Sequence, residues 1–382
     1  MLIYEYKVDG TKEQYAAIEE AIRVVQFIRN KCIRIWMDVA GTTANDLQWY
    51  CAILAKYYPF AMHLNSQARQ AAADRAWSAI SRFYKHCHEH KPGKKGYPQF
   101  QHNNRSVEYK VTGWRLDLDG KHITFTDDCG IGRLRLIGTR DLATQPRLAI
   151  VRRADGYFVQ FGVKCERRVE HQPTGKQLGI DVGLKVYYTD SEGNSVENPR
   201  YYRKAEKRLK RLHRQVSRKK KGSANRKQAR KRLAKASLKV QRQREDFARK
   251  QANALVTSSD FIAFEDLKIR NLVKNKHLAK SIHDAGWGNF LTWVKAYGAM
   301  HDIPVIAVVP HFTSQNCSSC GTKVKKSLSV RTHICPSCGL VMDRDENAAR
   351  NILQKAVCTL GHRETAPPEG EGNASGHLAS TP

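Results

Sequence analysis

Cys317-Ser318-Ser319-Cys320 and Cys335-Pro336-Ser337-Cys338 stand 14 residues apart, and each is followed by glycine, at 321 and 339. Few patterns restrict a chain so tightly. A two-residue gap lets both thiolates of a knuckle reach one ion, the glycine lets the backbone turn beneath it, and two knuckles complete a tetrahedral set of four thiolates. Such a set leaves no open coordination position. The expectation is therefore one structural Zn2+ holding a loop that has no core of its own; the alternative is four unrelated buried cysteines. The loop carries Lys323, Lys325, Lys326 and Arg331. Lys325 and Arg331 are taken as nucleic-acid contacts, although an ordinary solvated face would carry the same charges. The other cysteines, Cys32, Cys51, Cys87, Cys129, Cys165 and Cys358, are scattered. The chain opens Met1-Leu2-Ile3-Tyr4-Glu5-Tyr6 with no basic stretch leading into an apolar one. A cytoplasmic protein with reduced thiols is expected.

Charge narrows the partners. In 382 residues, 66 Lys and Arg face 36 Asp and Glu, a net charge of +30. That disfavours a cationic substrate and favours a polyanion. No run of about 18 apolar residues exists, so no membrane span is expected. Residues 201–250 hold 22 Lys or Arg against Glu206, Glu245 and Asp246, a net +19. Leu209, Leu212 and Val216, then Leu233, Leu238 and Phe247, recur at helical spacing. The segment from Arg218 through Lys219, Lys220 and Lys221 to Ser223 separates the two runs. A basic helical hairpin that neutralises phosphates is the natural reading, with those four cations as contacts; a solvated charged pair is the plainer one.

Elsewhere the hydrophobic period switches repeatedly. Thr11 and Gln14 form a capping box, and Tyr15, Ile18, Ile22, Val25 and Ile28 follow at helical spacing. Leu64 to Cys87 repeats the pattern with Ala68, Ala71, Arg75, Ile80, Phe83 and Tyr84. The breaker-rich turn from Lys91 to Pro98 ends this helical unit, residues 11–100. Short alternating strands follow: Val107–Val111, Trp114–Leu118, His122–Thr126, Arg133–Leu136, and a hairpin around Asp155-Gly156. Together with residues 1–10, residues 101–172 are expected to make a small β-barrel, with the helical unit inserted in it. Residues 173–310 and 343–358 read as an α/β domain, 311–342 as the cysteine loop, and 359–382 as a disordered tail. The fold class is thus multidomain α+β.

Three acids stand where acids are locally out of place. Asp181 interrupts the apolar strand Leu178–Val182, Glu265 ends Phe261–Phe264, and Asp345 begins a late helix. A carboxylate on a buried strand is costly unless paired or bound to metal. Each has a plain explanation: a turn acid, a lysine partner, a helix cap. Together they fit acids that converge on two divalent ions, about 3.5–4 Å apart, for phosphodiester hydrolysis. Oxygen ligands of this kind suit Mg2+. The strand–turn–strand pattern after Asp181 fits a ribonuclease-H-like sheet.

At this point a resemblance becomes specific. Gly179-Ile180-Asp181-Val182-Gly183, Phe264-Glu265-Asp266-Leu267, the four-cysteine ribbon, and the run from Asp343 through Asp345-Glu346-Asn347-Ala348-Ala349 to Ile352 resemble the TnpB family of insertion-sequence proteins, in the family's order. Ser281–Gly288 and Gly96–Phe100 are similar too, and the likeness covers residues 1–356. It implies an RNA-guided DNA endonuclease with a RuvC domain of ribonuclease-H-like fold at 173–310 and 343–358. A zinc ribbon at 311–342 would touch target nucleic acid, and a helical recognition lobe would sit in a wedge-like barrel. Asp181, Glu265 and Asp345 would be the catalytic acids holding two Mg2+ ions; Asp345 is preferred to Asp343 because the family's acid directly precedes x-Asn-Ala-Ala. Gln67 and Thr112 would read a short motif beside the target. The partners implied are a guide RNA from the transposon end, one protein per guide, and target double-stranded DNA, in a prokaryotic cytoplasm at the nucleoid. The competing classes are a guided or unguided DNA-binding regulator with a dead nuclease, and a transposase; an intact acid triad argues against the first, while for the second no Tyr or Ser nucleophile motif stands out, the triad alone leaves it open, and the placement of the ribbon favours the nuclease.

Overall fold

The structure, a computed structural model, describes residues 2–138, 147–163, 168–327 and 330–364. The tail expected to be disordered lies, from residue 365, outside them. The chain divides into two compact units, 1–166 and 167–382.

The first unit begins with strand β1 (Leu2–Asp9) and four helices: α1 (Lys12–Asp38), α2 (Ala44–Tyr57), α3 (Pro59–Met62) and α4 (Ser66–His88). Seven strands contribute to its sheet, the rest being β2 (Ser106–Tyr109), β3 (Trp114–Leu116), β4 (His122–Phe125), β5 (Arg133–Ile137), β6 (Arg147–Arg153) and β7 (Gly156–Val163). The capping box forms as read: Gln14 N donates to Thr11 Oγ1 at 3.3 Å, and Thr11 N to Gln14 Oε1 at 2.9 Å. The Gln14 amide then donates to the carbonyls of Ile131 and Arg133, both at 2.8 Å, tying α1 to the start of β5. Ile18, Ile22, Val25 and Ile28 are buried, in one cluster with Val107, Ile123, Leu134 and Phe161 of the sheet. Helices and sheet therefore share a single core.

The expected barrel does not close. The strand order is β2-β6-β7-β1-β5-β4-β3, so β2 and β3 are opposite edges. Yet only residues 110–113 join them, a link that reaches at most ~18 Å. Edges of a flat seven-stranded sheet would lie ~29 Å apart. The sheet must roll, and the Tyr109 and Phe125 rings from β2 and β4 meet with centroids 5.2 Å apart. The ladder stays open because six successive antiparallel pairings leave β2 and β3 running the same way, and a four-residue link cannot join a parallel pair; the link is tied to α4 instead. Gln67, in the first turn of α4, accepts at its Oε1 from Val111 N at 2.8 Å and Thr112 N at 3.0 Å.

The second unit carries β8 (Gln177–Val182), β9 (Val186–Asp190), β10 (Ser195–Glu197), α5 (Tyr201–Ser217), α6 (Ala224–Thr257), β11 (Phe261–Glu265), α7 (Ile269–Leu272), α8 (Ala279–Ala285), α9 (Trp287–His301), β12 (Val305–Val308), β13 (Thr332–Ile334), β14 (Val341–Asp343) and α10 (Arg344–Glu364). Its main sheet has the order β10-β9-β8-β11-β12; β8, β11 and β12 are parallel, and β9 and β10 antiparallel. Alternation divides the sheet's faces. Leu178, Ile180, Ile262 and Phe264 pack with Ala252, Phe290 and Val294 of α6 and α9. Phe261, Ala263 and Val308 pack on the other face against Ile352 and Ala356 of α10. The basic segment is a hairpin of α5 and α6, broken at residues 218–223 as its sequence suggests.

Candidate functional site: an acid cluster and a four-cysteine ribbon

Alternation decides where the acids point. Asp181 lies two residues beyond Gly179, and Glu265 two beyond Ala263. Both therefore face α10. The register pairs Ile180 with Phe264 across parallel β8 and β11. One step further along, Asp181 and Glu265 end neighbouring strands side by side. Gly179 lets α10 approach: a Cβ there would collide with the Ala349 carbonyl and stand 2.8 Å from Leu353 N. Asp345 precedes Ala349 by one helical turn, so the close packing at Gly179 sets Asp345 over the strand ends.

The cluster's electrostatics agree. Burial pushes the Asp181 carboxyl well above the usual carboxylate range, and the charges of Glu265 and Asp345 push it further. Burial also raises Glu265, although the Thr313 hydroxyl, donating to Glu265 Oε1, opposes that. Asp345 is only 9% exposed. It pairs with Arg331 Nη1 at 3.3 Å and with Arg344 Nη2 at 3.1 Å. The neighbouring Asp343 has a different task. Its Oδ1 accepts from Asp345 N at 2.7 Å and from Glu346 N at 3.4 Å, which caps the first turn of α10.

Asp181 thus feels the charge of both other acids, and like charges held near a buried carboxyl oppose its ionisation. A divalent cation with hard oxygen ligands is the group such a set accommodates. The three are more loosely gathered than a closed ligand cage. Among the described residues, only two groups of three or more ligand atoms lie within 4.8 Å of one another: the four cysteines, and Asp117, Asp119 and His122. In the latter group, Arg133 and Thr124 occupy Asp117, and His122 and the Lys121 amide occupy Asp119.

All four cysteines meet. Cys317 Sγ lies 3.6 Å from Cys338 Sγ, and Cys320 Sγ 3.5 Å from Cys335 Sγ. Those separations are far beyond a disulfide bond. They suit a tetrahedral metal with bonds of ~2.3 Å. Gly321 and Gly339 adopt φ of +77° and +72°, and their N–H groups turn back onto the carbonyls of Cys317 and Cys335. Two asparagines fasten this ribbon to α10. Asn347, fully buried, accepts from Ser318 N at 2.9 Å and donates to the Asn316 carbonyl at 2.8 Å. Asn351 donates to the carbonyls of Thr313 and Asn316, both at 2.8 Å. Asn347 and Asn351, one turn apart, thus mark the helix face that holds the ribbon, and Asp345, about 200° around the helix from Asn347, lies on a different face.

The remaining sequence-derived residues are spread out. Arg218, Lys219, Lys220 and Lys221 are exposed in the α5–α6 turn, and Lys325 is exposed in the ribbon. Arg331, expected to face nucleic acid, stands against Asp345, with its side chain 42% exposed. Gln67 and Thr112 are hydrogen-bonded to each other where α4 meets the β2–β3 link. Sequence reasoning missed Arg344 and Thr313. Arg344 directly precedes the acid and was legible as its neighbour; nothing in the sequence singles out Thr313.

Comparison with known proteins places this arrangement. Residues 160–276 match the family model OrfB_IS605, described as "Probable transposase", and residues 287–352 match the Cas12f1-like TNB domain. A relative from Streptomyces pristinaespiralis, named "Putative RNA-guided DNA endonuclease", is 28% identical over 393 residues, covering 98% of this chain and 94% of the relative. InsQ of Escherichia coli K12, with the same description, is 26% identical and covers 69% of each chain. Among solved structures, one from a Cas12f1–sgRNA–target DNA complex superposes with a TM-score of 0.55 at 14% identity, covering 90% of this chain and 83% of that one. The mini-RNA-guided endonuclease CRISPR-Cas_phi3 gives 0.56 at 11% identity, covering 93% and 92%. At those identities the likeness is one of fold.

Proposed function

The chain belongs to the TnpB family of insertion-sequence proteins, and from that premise we propose that it is an RNA-guided endonuclease that hydrolyses double-stranded DNA. The observation that carries the reading is the meeting of Asp181, Glu265 and Asp345 at the ends of β8 and β11 and the start of α10. The order of the sheet, third strand, second, first, fourth, fifth, supports a ribonuclease-H-like, RuvC-type domain. A regulator without nuclease activity has no need of three intact acids at one point.

In this reading the three acids hold two Mg2+ ions. Such ions, when bound, polarise the phosphodiester and ease formation of the attacking hydroxide and departure of the leaving oxygen. The protein's own groups set the geometry. Thr313 fixes the rotamer of Glu265, and the Asp343 cap fixes the first turn of α10, hence Asp345. Arg331 and Arg344 balance the charge of Asp345 and stand within reach of a phosphate drawn to the cluster. The ribbon's four thiolates hold one Zn2+, which gives shape to residues 311–342 and keeps Arg331 in place. The +19 hairpin neutralises backbone phosphates without reading sequence.

Sequence recognition falls to base pairing with a guide RNA, one protein per guide, and the protein itself reads a short motif beside the target. The Gln67 carbonyl oxygen is spent on the Val111 and Thr112 amides, which leaves its NH2 as the donor for a base edge, beside Thr112. No helix among the described residues is long and apolar enough to cross a membrane. The test is to purify the protein with its RNA, replace the guide segment and challenge it with matching DNA. Cleavage that follows the new guide and disappears in Asp181→Ala supports the reading; cleavage by Asp181→Ala, or cutting indifferent to the guide, refutes it.

A further inference from the structure

Four residues beyond Asp181 the second unit has a cavity of about 480 Å³, at the foot of the basic hairpin. Lys185 at the head of β9, Arg200, Arg203 in the first turn of α5, and Ser281 on α8 line it, with Asn198 and Asp284. The wall is built, not merely charged. Asn198 Nδ2 donates to the Leu184 carbonyl at 3.1 Å, and Asn198 Oδ1 accepts from Arg200 N at 3.1 Å. Arg200 itself holds a left-handed backbone, φ 51°, which a non-glycine residue rarely keeps. Arg203 donates to Ser281 Oγ at 2.9 Å.

The one acid in the wall is already committed. Asp284, 6% exposed, accepts from Tyr202 N at 2.8 Å and from Arg203 N at 3.0 Å, so its carboxylate caps α5, a helix with no cap of its own. Arg203 has Glu206 within 3.5 Å, but Lys210 and Lys280 also hold that carboxyl, pulling its pKa down to about 2. No ion pair joins Lys185 or Arg200 to an acid among the described residues. The cavity thus keeps two cations without an acid partner, of which Arg200 donates from Nη2 to the Lys185 carbonyl at 3.5 Å, with the Arg203 guanidinium and the Ser281 hydroxyl, around a volume that admits a tetrahedral anion.

We propose that this cavity is a phosphate site, occupied by a backbone phosphodiester of the nucleic-acid strand that runs past the acid cluster. An arginine fork with an ammonium suits phosphate oxygens. Lys185 follows Asp181 by four residues, at most ~14 Å of chain, so the held phosphate lies a few nucleotides from the position those acids serve. The site rests on the nucleic-acid partner of the proposed function but not on guided cleavage.

The test compares two double variants of the full chain. Lys185→Gln/Arg200→Gln empties the cavity of its free cations. Arg23→Gln/Arg34→Gln removes two exposed cations from α1, each paired with an acid, and reports the loss of charge alone. Binding of a single-stranded oligonucleotide is measured against salt concentration. The pocket variant should show a slope of log K on log salt shallower by about 0.7 than the α1 variant, the value for one phosphate on a single strand. Equal slopes overturn the proposal. A second arm compares thermal unfolding in inorganic phosphate and in chloride at equal ionic strength. Stabilisation by phosphate that the pocket variant loses, with slopes still equal, assigns the cavity to a free phosphate and likewise overturns the phosphodiester. The slope is read on binding alone, so it stands even if guided cleavage fails.

Discussion

Asp343 and Asp345, two positions apart, divide the work at the head of α10, and substitutions should separate them. Asp343→Ala removes a cap and should cost about 1 kcal/mol of stability, seen as a lower denaturation midpoint, and should slow cleavage without abolishing it. Asp345→Ala should do the reverse, abolishing cleavage with RNA binding intact; cutting by this variant would disprove its role. Thr313→Val keeps the shape at Glu265 but removes the hydroxyl, and a cleavage rate lower by roughly tenfold is expected. Asp181 and Glu265 were legible because burial makes a carboxylate in an apolar strand conspicuous, whereas Asp345 was singled out by the resemblance of the run that follows it. Their partners were not: Thr313 is an ordinary residue in a loop, and Arg331 reads as one more surface cation until the ribbon folds it against Asp345.

Elements carry the geometry that single residues use. Gly179 is the contact point of β8 and α10, and Gly179→Ala forces them apart. A loss of about 1–3 kcal/mol is expected from such overpacking, and with it a loss of cleavage, since Asp345 moves with the helix. A calorimetric midpoint unchanged from wild type would contradict the packing argument. The ribbon depends on its metal rather than on a core, for neither apolar cluster flanking the main sheet draws on residues 311–342. Cys317→Ser, or a chelator selective for zinc, should raise hydrogen exchange in that segment while β8 and β11 stay protected. Loss of protection throughout the sheet would show that ribbon and sheet fold as one. Alternating hydrophobicity gave the strands of the first unit correctly and its closure wrongly. Period-2 patterning says which face of a strand is buried, not whether the edge strands can pair, and here six antiparallel pairings left the two edges parallel.

For the molecule as a whole, charge and pH are the accessible levers. A chain of net charge +30 should bind nucleic acid before it holds a guide, with an affinity that falls steeply in salt. Asp260 joins the segment before β8 to the head of β11: His171 Nε2 lies 2.7 Å from its Oδ1, and the Thr174 and Gly175 amides donate to its carboxylate. The hydrogen bond with His171, then the Thr174 amide, holds its pKa well below the ordinary value. A depressed carboxylate gives stability that is complete above the unfolded value, near pH 4, and is lost as pH falls through the folded one. Asp260→Asn should therefore be less stable than wild type at neutral pH, with the gap narrowing below about pH 4; a gap that widens in acid would reverse the sign and refute the pairing. The unclosed ladder of the first unit has its own consequence. The link between its two edge strands is tied to α4 by the two hydrogen bonds that Gln67 accepts, together worth roughly 1–3 kcal/mol. One side chain therefore anchors that link and, in the proposed reading, offers its NH2 to a base edge, so a substitution there would disturb both at once.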